Sequence, residues 1–193
     1  RLYHRGAPIA LSERVPLLEN MGLSVIDEST WRIAPEEAPP VYLHDMALVH
    51  AEGRAIDLTE DLDARLEDLL VAVRSGRAEN DGYNALVLAA GLDRRDVALL
   101  RAVGHYLRQI RLPLSQDLMW GALRRFPAIT VDLVALFRAR FDPVAVADRD
   151  AAETEIAARI DTALGAVASL DDDTVLRRFA DVIRAMVRTD FWR

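Results

Sequence analysis

The sequence contains neither cysteine nor lysine, and all 24 of its basic residues are arginine. The lack of cysteine excludes disulfides and thiolate metal sites, and it is compatible with a cytoplasmic location. The lack of lysine excludes Schiff-base chemistry and the lysine of a phosphate-binding P-loop. No two of the nine glycines lie two residues apart, so the GxGxxG dinucleotide fingerprint is also missing. We therefore predict no catalytic, cofactor-binding or metal-binding residue in this chain.

Long apolar runs and targeting signals are absent as well. No stretch approaches the roughly 20 apolar residues that span a bilayer, so we predict no membrane partner. No basic segment followed by an apolar one indicates secretion. The chain begins at Arg1, within a segment of strand character, and we interpret it as a piece of a longer polypeptide.

Charge is distributed unevenly along the chain, whose formal net charge is −7. Residues 101–140 contain seven arginines and two acids, whereas acids outnumber arginines on both sides of this region. A nucleic-acid site would favour such a basic region, but so would an acidic neighbouring domain.

Residues 1–52 combine strand and helix signals. LYH (2–4) predicts a short strand, and SERVPLLENMG predicts a helix that Ser12 caps and that ends before Gly22. Residues 23–33 and 41–50 are predicted to be strands separated by the turn APEEAPP. The order β-α-β-β is most of a ferredoxin-like unit.

From Asp57 onward the pattern is helical almost throughout, which predicts an all-α domain over residues 57–193. Asp57 and Glu60 have capping-box spacing, and Asp93 has the position of a second cap. The predicted fold class is therefore α+β, mostly α. Short loops are expected near residues 77–82, 113–115, 142–149 and 169–172.

The segment YLRQIRLPLSQD (106–117) concentrates polar side chains between apolar ones. Arg108 and Arg111 are expected in the last turn of a helix over 93–112, where cations offset the negative end of the helix dipole. Pro113 prevents helical continuation, and Ser115 is expected to cap the next helix. We interpret the segment as a joint between helices, with two arginines left for contacts with a partner.

Two groups of residues are candidates for a functional role. The loop HRGAPIALSE (4–13) feeds a helix N-terminus, which offers N–H groups to a carboxylate; the competing interpretation is a plain connection without a ligand. The second group consists of arginines in the basic region. These arginines could contact an acidic domain, or, together with Arg101, could belong to a helix-turn-helix that binds nucleic acid. The apolar segment 118–123, however, lacks the polar side chains that read bases. The loop candidates are Arg5, Gly6, Ser12 and Glu13, and the contact candidates are Arg108, Arg111, Arg124 and Arg125.

Residues 79–141 (ENDGYNALVLAAGL, LLRAVGHYLRQIRLPLSQDLMWGALRRFPAI and LVALFRARFDP) resemble the large-subunit class of bacterial NAD-dependent glutamate dehydrogenases. The N-terminal LYHRG and PLLENMGLSVIDE resemble the ACT-like segment of that family. ASLDDDTVLRRFADVIRAMVRTDFWR resembles the segment before its catalytic region. The chain departs from the family at Tyr83, often Phe, at Ala85, commonly Arg, and in RTDFWR, which replaces an RTNYYQ-like sequence.

The resemblance implies a parent enzyme that oxidises L-glutamate to 2-oxoglutarate and ammonium with NAD as cofactor. Its catalytic lysine and nucleotide-binding glycines are then expected after Arg193. This chain is implied to be a non-catalytic regulatory or architectural segment of a homo-oligomer, with the remainder of the enzyme as partner and no nucleic acid. ACT modules often bind amino acids near their first strand–helix loop, which makes residues 5–13 the candidate effector site.

Overall fold

The computed structural model describes residues 1–144 and 148–192. The chain divides into two compact units, Arg1–Ala85 (unit 1) and Leu86–Arg193 (unit 2). Unit 1 contains an antiparallel sheet and two helices, and unit 2 is helical in all the elements that its described residues form. The predicted α+β class, with an ACT-like unit followed by helices, is confirmed. The predicted division at residues 52–57 stays a prediction.

The sheet of unit 1 has the strand order β1-β3-β2, with both neighbouring pairs antiparallel. Because β1 and β2 run in the same direction on either side of β3, helix α1 forms a split β-α-β crossover. The predicted bounds of the two long strands match the structure, and a bulge between Val25 and Asp27 interrupts their ladder. The elements of unit 1 are β1 (Leu2–Arg5), α1 (Leu11–Asn20), β2 (Leu23–Ile33), β3 (Val41–His50), α2 (Glu60–Arg74) and a 3-10 turn (Gly82–Ala85).

Two predicted caps in unit 1 are wrong. Helix α1 begins at Leu11 with Ala10 as N-cap, because the N–H groups of Glu13 and Arg14 both donate to Ala10 O at 3.1 Å. Ser12 therefore lies inside the first turn and makes no side-chain cap. In α2 the cap is Thr59 and not Asp57, since Thr59 Oγ1 accepts from Leu62 N–H at 3.2 Å.

Unit 2 is a bundle whose core consists of large apolar side chains. Leu100, Leu133, Phe137 and Phe179 are each at most 1% exposed. Asp93 and Ser115 cap their helices as predicted, accepting from Asp96 N–H and Leu118 N–H. The helices are α3 (Leu86–Ala90), α4 (Arg94–Gln109), α5 (Gln116–Arg125), α6 (Pro127–Phe141), α7 (Arg149–Leu164) and α8 (Leu170–Ala185).

The amphipathic pattern of residues 172–190 predicts one helix, but the last helix ends at Ala185. Met186 leaves the helix in an extended conformation, and the chain turns back so that Phe191 and Trp192 pack on Phe137. Tertiary packing thus overrides the helical periodicity that extends to residue 190. The predicted loop 142–149 includes residues 145–147, which lie outside the described residues. Within the described ranges, every helix is too short or too polar to cross a bilayer.

Candidate functional site

The loop between β1 and α1, the candidate effector site, is held at two points. Gly6 has φ +89°, a left-handed conformation that residues other than glycine rarely adopt. Its N–H donates to Pro40 O at 2.8 Å. Further along, Ile9 N–H donates to His44 Nε2 at 3.1 Å. The loop therefore enters α1 along a defined path.

The four predicted loop residues do not converge on one point of the loop. Arg5 is exposed at the end of β1, and no acidic partner is found for it among the described residues. Ser12 is exposed on the first turn of α1. Glu13 accepts from Arg74 of α2 at 3.2 Å, so its carboxylate is already paired with a cation. Only Arg5 keeps an uncompensated charge.

Beneath the loop lies a partly buried polar network that sequence reasoning missed, in which His44 and Arg14 are buried, Glu28 is half-buried and Thr30 is exposed. Since His44 Nε2 accepts from Ile9, the neutral ring carries its proton on Nδ1, which donates to Thr30 Oγ1 at 2.8 Å. The Thr30 hydroxyl donates to Glu28 Oε1, which also accepts from Arg14 Nη1 at 2.8 Å. These bonds join the loop to α1, β2 and β3.

Burial and hydrogen bonding together set the protonation of this network. His44 is fully buried, and desolvation, together with the positive charge of Arg14, lowers its pKa below 6.5. Hydrogen bonds from Thr30 and Arg14 lower the pKa of Glu28 below 4.5. Arg14 is 6% exposed, and its Nε has no hydrogen-bond partner among the described residues.

One signal in the sequence could have revealed part of the network. Glu28 and Thr30 lie two residues apart and so on one face of β2, and the register places Thr30 opposite His44. Polar residues on the face that a helix covers must find partners, so Arg14 of α1 was available to complete the set. The pairing itself depends on which face α1 covers.

We expect the network to make the stability of unit 1 depend on pH. In the unfolded chain His44 takes up a proton near pH 6.5, whereas the folded unit keeps it neutral to lower pH. Stability is therefore full above about pH 6.5 and is lost as the pH falls from there through the folded pKa. Glu28 adds a loss only below its ordinary pKa of 4.5. Urea unfolding at several pH values, followed through the fluorine NMR signal of labelled Trp31, would measure this loss.

The control is His44→Gln, which cannot titrate. It should be less stable than the parent at pH 7.5, since the bond from Ile9 is weakened, but its stability should change less between pH 7.5 and 5.5. Equal slopes for both proteins would contradict the assignment to His44.

Three of the seven arginines in the basic region of unit 2 are paired with acids of the same unit. Arg125 donates through Nε to Asp172 Oδ2 at 3.2 Å and through Nη2 to Oδ1. Arg140 donates to Glu153 Oε1 at 2.9 Å. Arg101 is 6% exposed, so its side chain is not offered to a large ligand.

A third pair joins α6 to the start of α4. Arg138 Nη2 lies 2.7 Å from Asp96 Oδ1 and 3.3 Å from Asp93 Oδ2. Burial raises the pKa of Asp96 although Arg138 donates to it. Three of the seven arginines that make residues 101–140 basic in sequence therefore join helices.

The joint at 106–117 contains the arginines that keep an open charge. Helix α4 ends at Gln109, so Arg111 lies beyond its last turn, in contrast to our prediction. Arg111 has φ 59°, and the bonds Arg111 N–H to Arg108 O (2.9 Å) and Leu112 N–H to Leu107 O (3.3 Å) form a Schellman motif. An arginine thus occupies a position where glycine is usual.

Arg108 and Arg111 are both exposed, and within the described residues neither is paired with an acid. Arg124 is half-buried and has an interaction of its own. Of the four predicted contact residues, Arg108 and Arg111 are thus available to a partner, whereas Arg125 is engaged by Asp172.

Two family models match the chain. Residues 1–61 match the ACT3 domain of glutamate dehydrogenase, and residues 78–143 match helical motif 3 of glutamate dehydrogenase. The first range contains the buried network, and the second contains the joint with its Schellman motif.

Curated relatives align with the chain over nearly its full length. An NAD-specific glutamate dehydrogenase of Pseudomonas aeruginosa is 40% identical over 196 residues, and one of Halomonas elongata is 41% identical over 194 residues; each alignment covers 100% of this chain. One of Mycobacterium tuberculosis is 34% identical and covers 97%. The chain spans only 12% of the length of each of these proteins.

Proposed function

We propose, because this chain belongs to the family of NAD-specific glutamate dehydrogenases, that it is a non-catalytic regulatory and architectural segment of such an enzyme. The parent enzyme converts L-glutamate, NAD and water into 2-oxoglutarate, ammonium and NADH. NAD and the reacting groups are held by parts of the parent that lie outside these residues. The parent is a cytoplasmic homo-oligomer.

One observation carries this proposal: the whole chain aligns with 12% of each dehydrogenase, and the aligned part contains an ACT domain and a helical motif. The absence of lysine supports it, since a catalytic lysine must then come from another part of the enzyme. The architectural role is supported by the ion pairs that join α4, α5 and α6 to other helices of unit 2.

The regulatory role concerns the loop between β1 and α1. A free amino acid carries a carboxylate, and positive charge is offered to it by Arg5 at one end of the loop and by the first N–H groups of α1 at the other. The bonds at Gly6 and Ile9 keep this loop in one conformation, which reduces the entropy cost of binding a ligand. The buried network below the loop would transmit any displacement of Ile9 to β2.

Calorimetry with a panel of amino acids tests the regulatory role. We expect at least one of them to bind, and Arg5→Ala to weaken binding about tenfold, since a charge-assisted hydrogen bond is lost. Arg32→Ala, a change of an exposed arginine on β2, is the matched control and should leave binding unchanged. Flat titrations throughout would refute regulation and leave the architectural role.

The competing function, nucleic-acid binding through residues 101–140, is opposed by the ion pairs of Arg125, Arg138 and Arg140. Phosphate contacts need arginines whose charge is not already compensated. A gel shift at low salt distinguishes the two functions, and we expect no shift.

A further inference from the structure

The sheet of unit 1 has an open edge at β1 beside a large groove. β1 is the outermost strand of the order β1-β3-β2, and within residues 1–144 and 148–192 no strand pairs with its other side. Gly6 N–H points towards Pro40 before β3, so by alternation the N–H groups of Tyr3 and Arg5 point outward. The backbone groups of these two residues are a template for a further strand.

The groove next to this edge has a volume of about 830 Å³ and lies within unit 1. Its lining is mainly apolar and includes Leu2 of β1, Leu18 of α1, and Leu66 and Leu70 of α2. Val71 at 53% exposure is a further large apolar side chain left in contact with solvent. The groove therefore offers apolar surface to the side chains of a further segment.

The topology explains why the space exists. A β-α-β-β-α-β unit has a second helix followed by a fourth strand, and unit 1 contains the first five elements in that order. In unit 1, the 3-10 turn and not a fourth strand follows α2. The sheet therefore has three strands among the described residues. The open edge of β1 and the groove beneath α2 are the parts of the unit that another strand would fill.

We propose that β1 receives an extended segment of the longer parent polypeptide, which completes a four-stranded sheet. The proposal rests on the proposed function. These residues align with only 12% of the length of each relative, so a parent of that kind contains much further chain. The added strand has apolar side chains at alternate positions, which enter the groove. Strand addition of this kind combines backbone hydrogen bonds with side-chain pockets.

Charge disfavours a second copy of β1 as the occupant. Two antiparallel copies of Arg1–Arg5 would bring Arg1 of one chain opposite Arg5 of the other, and like charges in cross-strand pairs are destabilising. A segment from another part of the parent polypeptide does not impose this repulsion between like charges.

Amide hydrogen exchange tests the proposal. We expect the amides of Tyr3 and Arg5 to exchange at least tenfold more slowly in the full-length parent enzyme than in the 193-residue chain. Equal exchange in the two proteins would overturn the proposal, as would a dimer of the 193-residue chain in which these amides are protected.

A pair of variants separates strand addition from other changes. Tyr3→Pro removes the outward N–H, whereas Tyr3→Ala removes the side chain but keeps the N–H. Proline is tolerated on an edge strand where the N–H faces solvent. In the parent, Tyr3→Pro should return the exchange of Arg5 to the rate of the 193-residue chain, and Tyr3→Ala should not. In the 193-residue chain both variants should unfold at similar temperatures. Identical protection of Arg5 in both parent variants would contradict strand addition.

Glutamate-dependent reduction of NAD is measured on the same parent preparation. If that activity is missing, the proposed function fails, but the exchange comparison still decides whether β1 is covered.

Discussion

Replacement of Phe137 by alanine is expected to lower the free energy of unfolding of unit 2 by about 3–5 kcal/mol. Phe137 is 1% exposed and lies at the centre of an aromatic cluster. Its ring stacks on Trp192 at a centroid distance of 5.5 Å and contacts Phe191 edge-on at 5.3 Å. The substitution leaves a cavity and also removes the surface on which the C-terminal residues pack.

The effect should reach the end of the chain. Arg95 lies 4.7 Å from the centroid of the Phe191 ring and donates from Nη2 to Phe191 O, but these contacts are too few to hold residues 187–192 alone. We therefore expect the fluorescence of Trp192 to move towards that of a solvent-exposed indole in Phe137→Ala before global unfolding. Urea denaturation measures the loss of stability, and the emission maximum in zero urea reports the release.

Phe141→Ala is the matched control for this prediction. Phe141 is half-buried and contacts Phe137 at 5.3 Å, without a ring contact to Trp192 among the described residues. Phe141→Ala should lower the free energy of unfolding by less than half as much as Phe137→Ala, and it should leave the emission of Trp192 unchanged. Equal losses in the two variants would show that the cluster does not depend on Phe137.

Replacement of Glu28 by alanine is expected to destabilise unit 1 by about 3–5 kcal/mol. Glu28 is the acceptor for Arg14, which is 6% exposed, and for the hydroxyl of Thr30. Without it the Arg14 guanidinium remains buried and uncompensated, and the chain of bonds that ends at Ile9 loses its anionic acceptor. Chemical denaturation followed by the Trp31 signal gives the magnitude.

A double variant isolates the cost of the unpaired charge. Arg14→Met combined with Glu28→Leu removes both partners, so it should be less destabilising than Glu28→Ala alone. Asp61→Ala breaks the exposed pair between Arg65 and Asp61, which are 2.7 Å apart, and should cost less than about 0.5 kcal/mol. If Glu28→Ala costs no more than Asp61→Ala, the buried network does not stabilise the fold.

Sequence patterns were sufficient where the physical cause is local. Strand character in residues 23–33 and 41–50, with the turn APEEAPP between them, predicted both long strands, and the caps Asp93 and Ser115 were predicted from the residues beside them. These signals succeed because an alternating pattern, a cap or a proline acts within a few residues of chain. The same reasoning failed at Ser12 and Asp57, where a neighbouring residue satisfied the first turn instead.

The sequence identified the candidate arginines as possible contact residues, but only folding decides which of them have partners within the chain. Arg125 and Asp172 are 47 residues apart, and Arg138 and Asp96 are 42 apart, so no local pattern distinguishes these arginines from Arg108. Arg111 was expected inside a helix, but it lies in a turn. Its left-handed conformation is set by the Schellman bonds of that turn.

By itself, the sequence determined the class of the fold, the order of its elements and the resemblance to a dehydrogenase family, because each depends on residue types in a local order. The tertiary structure decided which charges remain open, where His44 donates, and that β1 lies at an unpaired edge. These properties depend on contacts between distant segments, whose free energies become defined only when the chain has brought them together.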